Sequence, residues 1–191
     1  MNLDTPSWDE YFYKIAQAVS EKSKDTCPVG AVIVSTEDND HVIVATGFNG
    51  PARGVLDLPE RFADQGAAFK EKLRWVCHAE ANAIFNAARL GVSPKSCTLY
   101  VTKFPCVGCS SAIVQAGLRR VYTLDHETWK NDPFDDGHGT CSMTVLRETG
   151  VIVHAPKIFP HLTTGSSESP GDDRMRRVRP SKSEKSDTNA A

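Results

Sequence analysis

The chain has 191 residues, 40% of them hydrophobic and 24% charged, with a formal net charge of -2. This composition suits one domain with an ordinary apolar core, and it lacks the basic balance of a dedicated nucleic-acid binder. No apolar run approaches the roughly 18 residues that a membrane span needs. The opening "MNLDTPSWDEYFYKIAQ" has no basic segment leading into an apolar one, so it does not read as a signal peptide. The expected compartment is the cytoplasm. In that reducing space the six cysteines (Cys27, Cys77, Cys97, Cys106, Cys109, Cys141) are thiols or metal ligands before they are disulfides.

In chain order, "SWDEYFYKIAQAVSEKS" begins with Ser7 as an N-cap and with Asp9 and Glu10 in the first turn. Tyr11, Ile15, Ala18 and Val19 recur at helical spacing and are the expected core face. "VGAVIVS" and "HVIVATGF" are β-branched runs separated by the turn-rich "TEDND", which predicts an antiparallel hairpin feeding the loop "FNGPARG". Residues 56–73 are mixed and charged, with a helix expected near "ERFADQGAAFKEKL". Then come a helix in "AEANAIFNAARLG", a strand in "CTLYVT", a helix in "VGCSSAIVQAGL", a strand in "RRVYTL", a helix in "TCSMTVLRETG" and a strand in "VIVHA". Alternation after Cys77 implies parallel strands with helical crossovers. The predicted class is α/β: a five-stranded mixed sheet with an antiparallel hairpin at its edge and helices on both faces. From about residue 160 the chain is nearly free of large apolar residues, so residues 1–160 form the predicted domain and 161–191 a disordered polar tail. The "RMRRVR" run in that tail is flanked by acids and reads as solvated.

"KFPCVGC" places Cys106 and Cys109 after a strand and at a helix start. Alone, C-x-x-C fits a redox pair, half of a structural zinc site, or chance. A structural site needs four protein ligands, and no second C-x-x-C follows. "VCHAEANAIF" supplies a histidine and a glutamate, His78 and Glu80, at the start of the preceding helix. One imidazole and two thiolates leave tetrahedral zinc an open position for water, which is the arrangement of catalytic sites. With His78 as a ligand, the two-residue offset aims Glu80 at that position as a proton shuttle. The helix N-terminus carrying Cys106 and Cys109 favours thiolates. Both ligand segments are expected to follow strands of one sheet and to meet at the carboxyl ends of neighbouring strands.

H-x-E followed by P-C-x-x-C resembles the zinc deaminase pattern. Beyond it, "WDEYF", "VGAVIV", "TGFNGPARG", "VCHAEANAI", "LYVTKFPCVGC" and "QAGLRRVY" are similar to deoxycytidylate (dCMP) deaminases, from about residue 7 to about 155. The resemblance implies the cytidine deaminase-like three-layer α/β/α fold. It implies zinc held by His78, Cys106 and Cys109, and Glu80 moving protons during hydrolysis of dCMP to dUMP. It also implies Asn49 on the substrate, with the backbone N–H of Ala79 and the C=O of Phe104 on the cytosine edge. Arg53 or Lys103 would supply the cation for a 5′-phosphate. As ordinary residues, Asn49 is a turn former in N-G and the two cations are solvated. Trp75 is expected in the core, and Cys77 and Cys97 are expected buried. The stretch "TLDHETWKNDPFDDGHGT" departs from the tyrosine-rich segment of many relatives. Family members assemble as dimers or hexamers, so the resemblance implies a homo-oligomer whose number the sequence does not set; some members also respond to dCTP and dTTP, which cannot be read from the residues. Rival readings are the same chemistry on another cytosine compound or a guanine-type base, a nucleic-acid editor, and a zinc protein without catalysis.

Overall fold

The computed structural model describes residues 5–36, 40–62, 72–123 and 138–154, with side chains from residue 141 onward in the last segment. The predicted tail and most of the helix expected over 60–73 lie outside the described residues.

Helix α1 (Trp8–Ser20) starts as its sequence demands. The Ser7 hydroxyl accepts from the Glu10 N–H at 3.3 Å, and the Glu10 carboxylate accepts from the Ser7 N–H at 2.9 Å, so two unpaired donors are satisfied reciprocally. Its buried face is Phe12, Tyr13 and Ala16 rather than the expected Tyr11, Ile15, Ala18 and Val19. The reason is tertiary. Phe12 packs on the Tyr100 ring at 5.3 Å, and the backbone at Ala16 lies directly over Gly30, where an added Cβ would come within 2.0 Å of the Ala16 oxygen.

Strands β1 (Gly30–Ser35) and β2 (Val42–Phe48) form the predicted antiparallel hairpin. A two-residue strand β3 (Gly50–Pro51) follows and pairs with β4 (Val76–Cys77) as a separate small sheet. Then come α2 (Ala79–Leu90), β5 (Thr98–Val101), α3 (Val107–Gln115), β6 (Arg120–Tyr122), α4 (His138–Glu148) and β7 (Ile152–His154). Helix α2 stops at Gly91, whose φ of 72° is a left-handed conformation that favours glycine.

The main sheet has the order β2-β1-β5-β6-β7. Its β2-β1-β5 part is antiparallel and its β5-β6-β7 part parallel, which is the predicted mixed sheet. Side chains alternate across a strand, so Gly30 under α1 and Ala31, paired with Gly47 under α2, point to opposite faces. Helix α1 therefore covers one face and α2 the other. Ala31, Ile33, Leu99, Val101 and Val121 pack with Ala79 and Ala83 of α2, Ile113 of α3 and Leu146 of α4 in one core. Central β1 is buried along its first five residues, which is why it reads as an unbroken apolar run and not an alternating one. No helix among the described residues is long and apolar enough to cross a membrane.

Candidate active site

Two helix starts converge at the carboxyl end of β5. His78 is the N-cap of α2, with extended backbone (φ -72°, ψ 156°). Helix α2 lies so close to β2 that a Cβ on Gly47 would meet the Ala83 nitrogen at 2.3 Å and the Ala79 oxygen at 2.4 Å. Asn82 donates to the Phe48 carbonyl and Asn86 to the Thr46 carbonyl, each at 2.8 Å. These side chains occupy carbonyls of edge strand β2, which would otherwise offer acceptors to another chain. His78 follows β4 of the small sheet and not a strand of the main one, which corrects the expectation of two adjacent crossovers. The pairing of Gly50 with Cys77 brings the Asn49 loop beside the α2 start.

The second start follows β5 directly. Thr102 is fixed to β1, its N–H donating to the Gly30 carbonyl at 3.0 Å and its hydroxyl accepting from the Gly30 N–H at 3.1 Å. After Lys103, Phe104 and Pro105, Cys106 caps α3, its sulfur accepting from the Cys109 N–H at 3.5 Å.

The His78 Nδ1 lies 3.4 Å from the Cys106 sulfur and 3.5 Å from the Cys109 sulfur. All three donor atoms fall within 4.8 Å of one another. Zinc at about 2.05 Å from nitrogen and about 2.3 Å from sulfur in a tetrahedron requires an N···S edge of about 3.6 Å. The donor set therefore fits that ion in both size and chemistry. Within the cluster the protons are shared between neighbours. The hydrogen bond from the Cys109 thiol holds Cys106 down to about 3, and the same bond, together with burial, pushes Cys109 up. The hydrogen bond with Cys106 raises His78 against the lowering effect of burial. Glu80, 3% exposed, follows His78 by two residues in the first turn of α2. Burial raises its carboxyl to about 7, opposed first by the charge of His78.

The cytidine and deoxycytidylate deaminase zinc-binding region matches residues 6–125. The chain belongs to this family. Zinc is accordingly its cofactor, and the three converging donors are where the described residues can hold it. Mouse deoxycytidylate deaminase is 37% identical over 146 residues, 75% of each chain. The human deoxycytidylate deaminase is 38% identical over 132 residues, 68% of this chain and 71% of that one. Among solved structures, the dCMP deaminase of cyanophage S-TIM5 in complex with dCMP and dUMP superposes with a TM-score of 0.60 at 27% identity. That match covers 80% of this chain and 98% of the phage chain.

The remaining residues singled out by sequence fall into two groups. Ala79 and Phe104 are buried beside the deaminase cluster, and the Lys103 charge acts on His78. Asn49, 7% exposed, is mostly engaged by the chain itself. Its Oδ1 accepts from the Val29 N–H at 2.7 Å, its Nδ2 donates to the Cys27 carbonyl at 3.0 Å, and its carbonyl accepts from the Ser23 hydroxyl at 2.7 Å. One amide hydrogen is left to offer. Exposed Arg53 donates to Asn86 at 3.2 Å, on the flank of α2. Trp75 is not in the core: it is 37% exposed, and the Arg61 guanidinium stacks 4.1 Å from its ring centre, a cation–π contact at the surface. Cys97 is buried as expected, while Cys77 is half-buried. Sequence reading missed a buried ion pair, Lys72 donating to Asp25 at 2.7 Å beside the Asn49 loop. Two charged residues in polar stretches give no signal that they will meet in the interior.

Proposed function

We propose that this chain carries out the hydrolytic deamination of dCMP to dUMP and ammonia. The observation that carries the reading is the convergence of one imidazole and two thiols beside a buried carboxyl. Three donors leave a four-coordinate ion one position for a small ligand, and the buried Glu80, two residues from His78, is the group this reading assigns to it. The choice of dCMP is supported by the names of the mouse and human relatives and by the dCMP and dUMP bound in the phage enzyme.

In this mechanism His78, Cys106 and Cys109 are the zinc ligands and Glu80 is not. Zinc bound there supplies Lewis acidity, which brings deprotonation of water into the neutral pH range. Glu80 takes one proton from the attacking water and passes it to pyrimidine N3 as the water oxygen bonds to C4. It then takes the second proton, from that C4 hydroxyl, and gives it to the amino group, so that the C4–N bond breaks, ammonia leaves and the C4 carbonyl of dUMP remains. Burial disfavours the charged form of this carboxyl and so suits it both to accept and to give a proton. The Ala79 N–H and the Phe104 carbonyl orient the cytosine edge, and the free amide hydrogen of Asn49 reaches the sugar. Lys103 and Arg53 supply positive charge for the 5′-phosphate. Of the two, Lys103 lies in the loop that carries Cys106, while Arg53 is turned toward Asn86.

The same reading includes assembly as a homo-oligomer, dimer or hexamer, supported by exposed Phe85, Leu90 and Val92 on and just after α2. It includes work in the cytoplasm, supported by six cysteines that are all unpaired, and a response to dCTP and dTTP. The test is ammonia release from dCMP, dCTP, deoxycytidine, cytosine and guanine, with and without added dCTP or dTTP, on protein sized by light scattering. Turnover of dCMP well above the others is expected. Turnover of another substrate with none on dCMP would sink the choice of substrate and leave the chemistry standing.

A further inference from the structure

Behind the zinc-ligand loop lie two serines that the chemistry above does not use. Ser110 on α3 and Ser142 on α4 are both fully buried, and their hydroxyls are hydrogen-bonded to each other. Ser142 donates onward to the Pro105 carbonyl at 2.6 Å. A hydroxyl has one hydrogen to give, so the order is fixed: Ser110 donates to Ser142, and Ser142 donates to Pro105. Two buried hydroxyls facing one another across two packed helices replace what would ordinarily be an apolar contact.

The target of this relay is informative. Thr102 is pinned to Gly30 of β1, and Cys106 starts the α3 ladder, its carbonyl accepting from the Ser110 N–H at 2.8 Å. Between these anchors lie Lys103, Phe104 and Pro105. Proline has no N–H, so the only backbone hydrogen-bonding group that Pro105 itself offers is its carbonyl. The Pro105 carbonyl belongs to the peptide that leads into Cys106, and the tilt of that peptide sets the Cys106 φ of -71° and thereby the direction of its sulfur.

We propose that Ser142 is a positioning residue of the metal site: with Ser110 behind it, it locks the Pro105–Cys106 peptide and so aims the Cys106 thiolate. The inference rests on the zinc reading above. It makes α4, which carries none of the three donors described above, part of the site's geometry. Groups that orient metal ligands from behind typically change metal affinity about 10- to 100-fold when removed.

The experiment compares Ser142→Ala, Ser142→Cys and Ser110→Ala with wild type in the full chain. Zinc affinity is read by competition with a chromophoric chelator, thiolate geometry by the cobalt(II) absorption spectrum, fold stability by thermal melting, and kcat and KM on dCMP separately. Ser142→Ala is expected to lose about 10- to 100-fold in zinc affinity, to shift the cobalt–thiolate bands, and to lose kcat more than KM. Ser142→Cys keeps the volume with a weaker donor and should move the same readouts in the same direction by less. It decides the matter if the alanine variant does not fold. Ser110→Ala removes a hydroxyl from the same buried pair but leaves the donation to Pro105, so at a similar loss of melting temperature it should hold zinc with nearly wild-type affinity. A folded Ser142 variant with wild-type affinity and an unshifted cobalt spectrum overturns the proposal. So does loss of zinc by the Ser142 and Ser110 variants in simple proportion to their loss of stability. Wild-type chain that takes up no cobalt or zinc would overturn the metal reading itself, and this inference with it.

Discussion

The two helix starts that build the site are held by opposite means. Helix α2 is seated by the absence of side chains: Gly47 lets the backbone of Ala79 and Ala83 settle onto β2, and two asparagines stitch the helix to the strand edge. The start of α3 is seated by polar groups, with Thr102 fixed to β1 on one side and the Ser110–Ser142 pair behind Pro105 on the other. Close backbone contact fixes a helix as a rigid body. A hydrogen bond on one carbonyl fixes a peptide plane. The first suits His78 and Glu80, which need the right helix position, and the second suits a thiolate at the end of a loop, which needs the right aim.

Variants can break this contrast, from the largest effect to the smallest. Changing the chemistry itself should matter most. Glu80→Gln keeps all three donors, so zinc content by atomic absorption should stay at one per chain while turnover falls roughly 100- to 10,000-fold. Cys106→Ser should instead lose the metal and the activity together. Next, Gly47→Ala places a methyl within 2.3 Å of helix backbone. Such overpacking destabilises by about 1–3 kcal/mol. Because it displaces the whole α2 start, activity should fall with stability in urea titrations and rate assays. Asn82→Ala leaves the Phe48 carbonyl without its donor. A net loss of about 1 kcal/mol is expected, with a rise in KM because Phe48 precedes the Asn49 loop. On the other face of the sheet, Tyr100→Phe removes a 2.7 Å hydrogen bond to Asp9. That should lower the melting temperature and leave kcat and KM unchanged. A change in kcat there would show that the α1 face also positions the site.

The pH dependence of the chelated chain sharpens the same comparison. Burial raises the Glu80 carboxyl from 4.5 to about 7, so folding takes up a proton between those values. The stabilising contribution is complete below about 4.5 and is lost as pH rises through 7. Glutamine does not titrate. The stability of Glu80→Gln relative to wild type, measured by denaturation in chelator, should therefore improve between pH 5 and pH 8. A difference that stays flat over that range would mean the carboxyl is hydrated and not buried.

What the sequence discloses follows from how each feature is encoded. The main strands are legible because β-branched runs leave a local pattern, and the ligands are legible because a metal site requires rare residue types at fixed spacing. The small β3/β4 sheet is not, since two residues per strand carry no periodicity. The buried face of α1 is displaced from expectation because Gly30 and Tyr100, far along the chain, decide which side of the helix meets the sheet. Asn49 illustrates a mixed role: the N-G pair marks a loop, but only the fold reveals that its amide is largely committed to Cys27 and Val29. Ser110 and Ser142 are silent, because a lone serine in a helix has the same local appearance whether it faces water or another hydroxyl.

The central claim is that His78, Cys106 and Cys109 hold zinc while Glu80 moves protons in the deamination of dCMP. It is tested most directly by measuring zinc content and dCMP turnover on the same preparations of wild type and Glu80→Gln. The account predicts one zinc per chain in both, with dUMP and ammonia formed by the wild type and at least about 100-fold less by the variant. Full turnover by zinc-loaded Glu80→Gln, or zinc-loaded wild type inert toward dCMP, would contradict it.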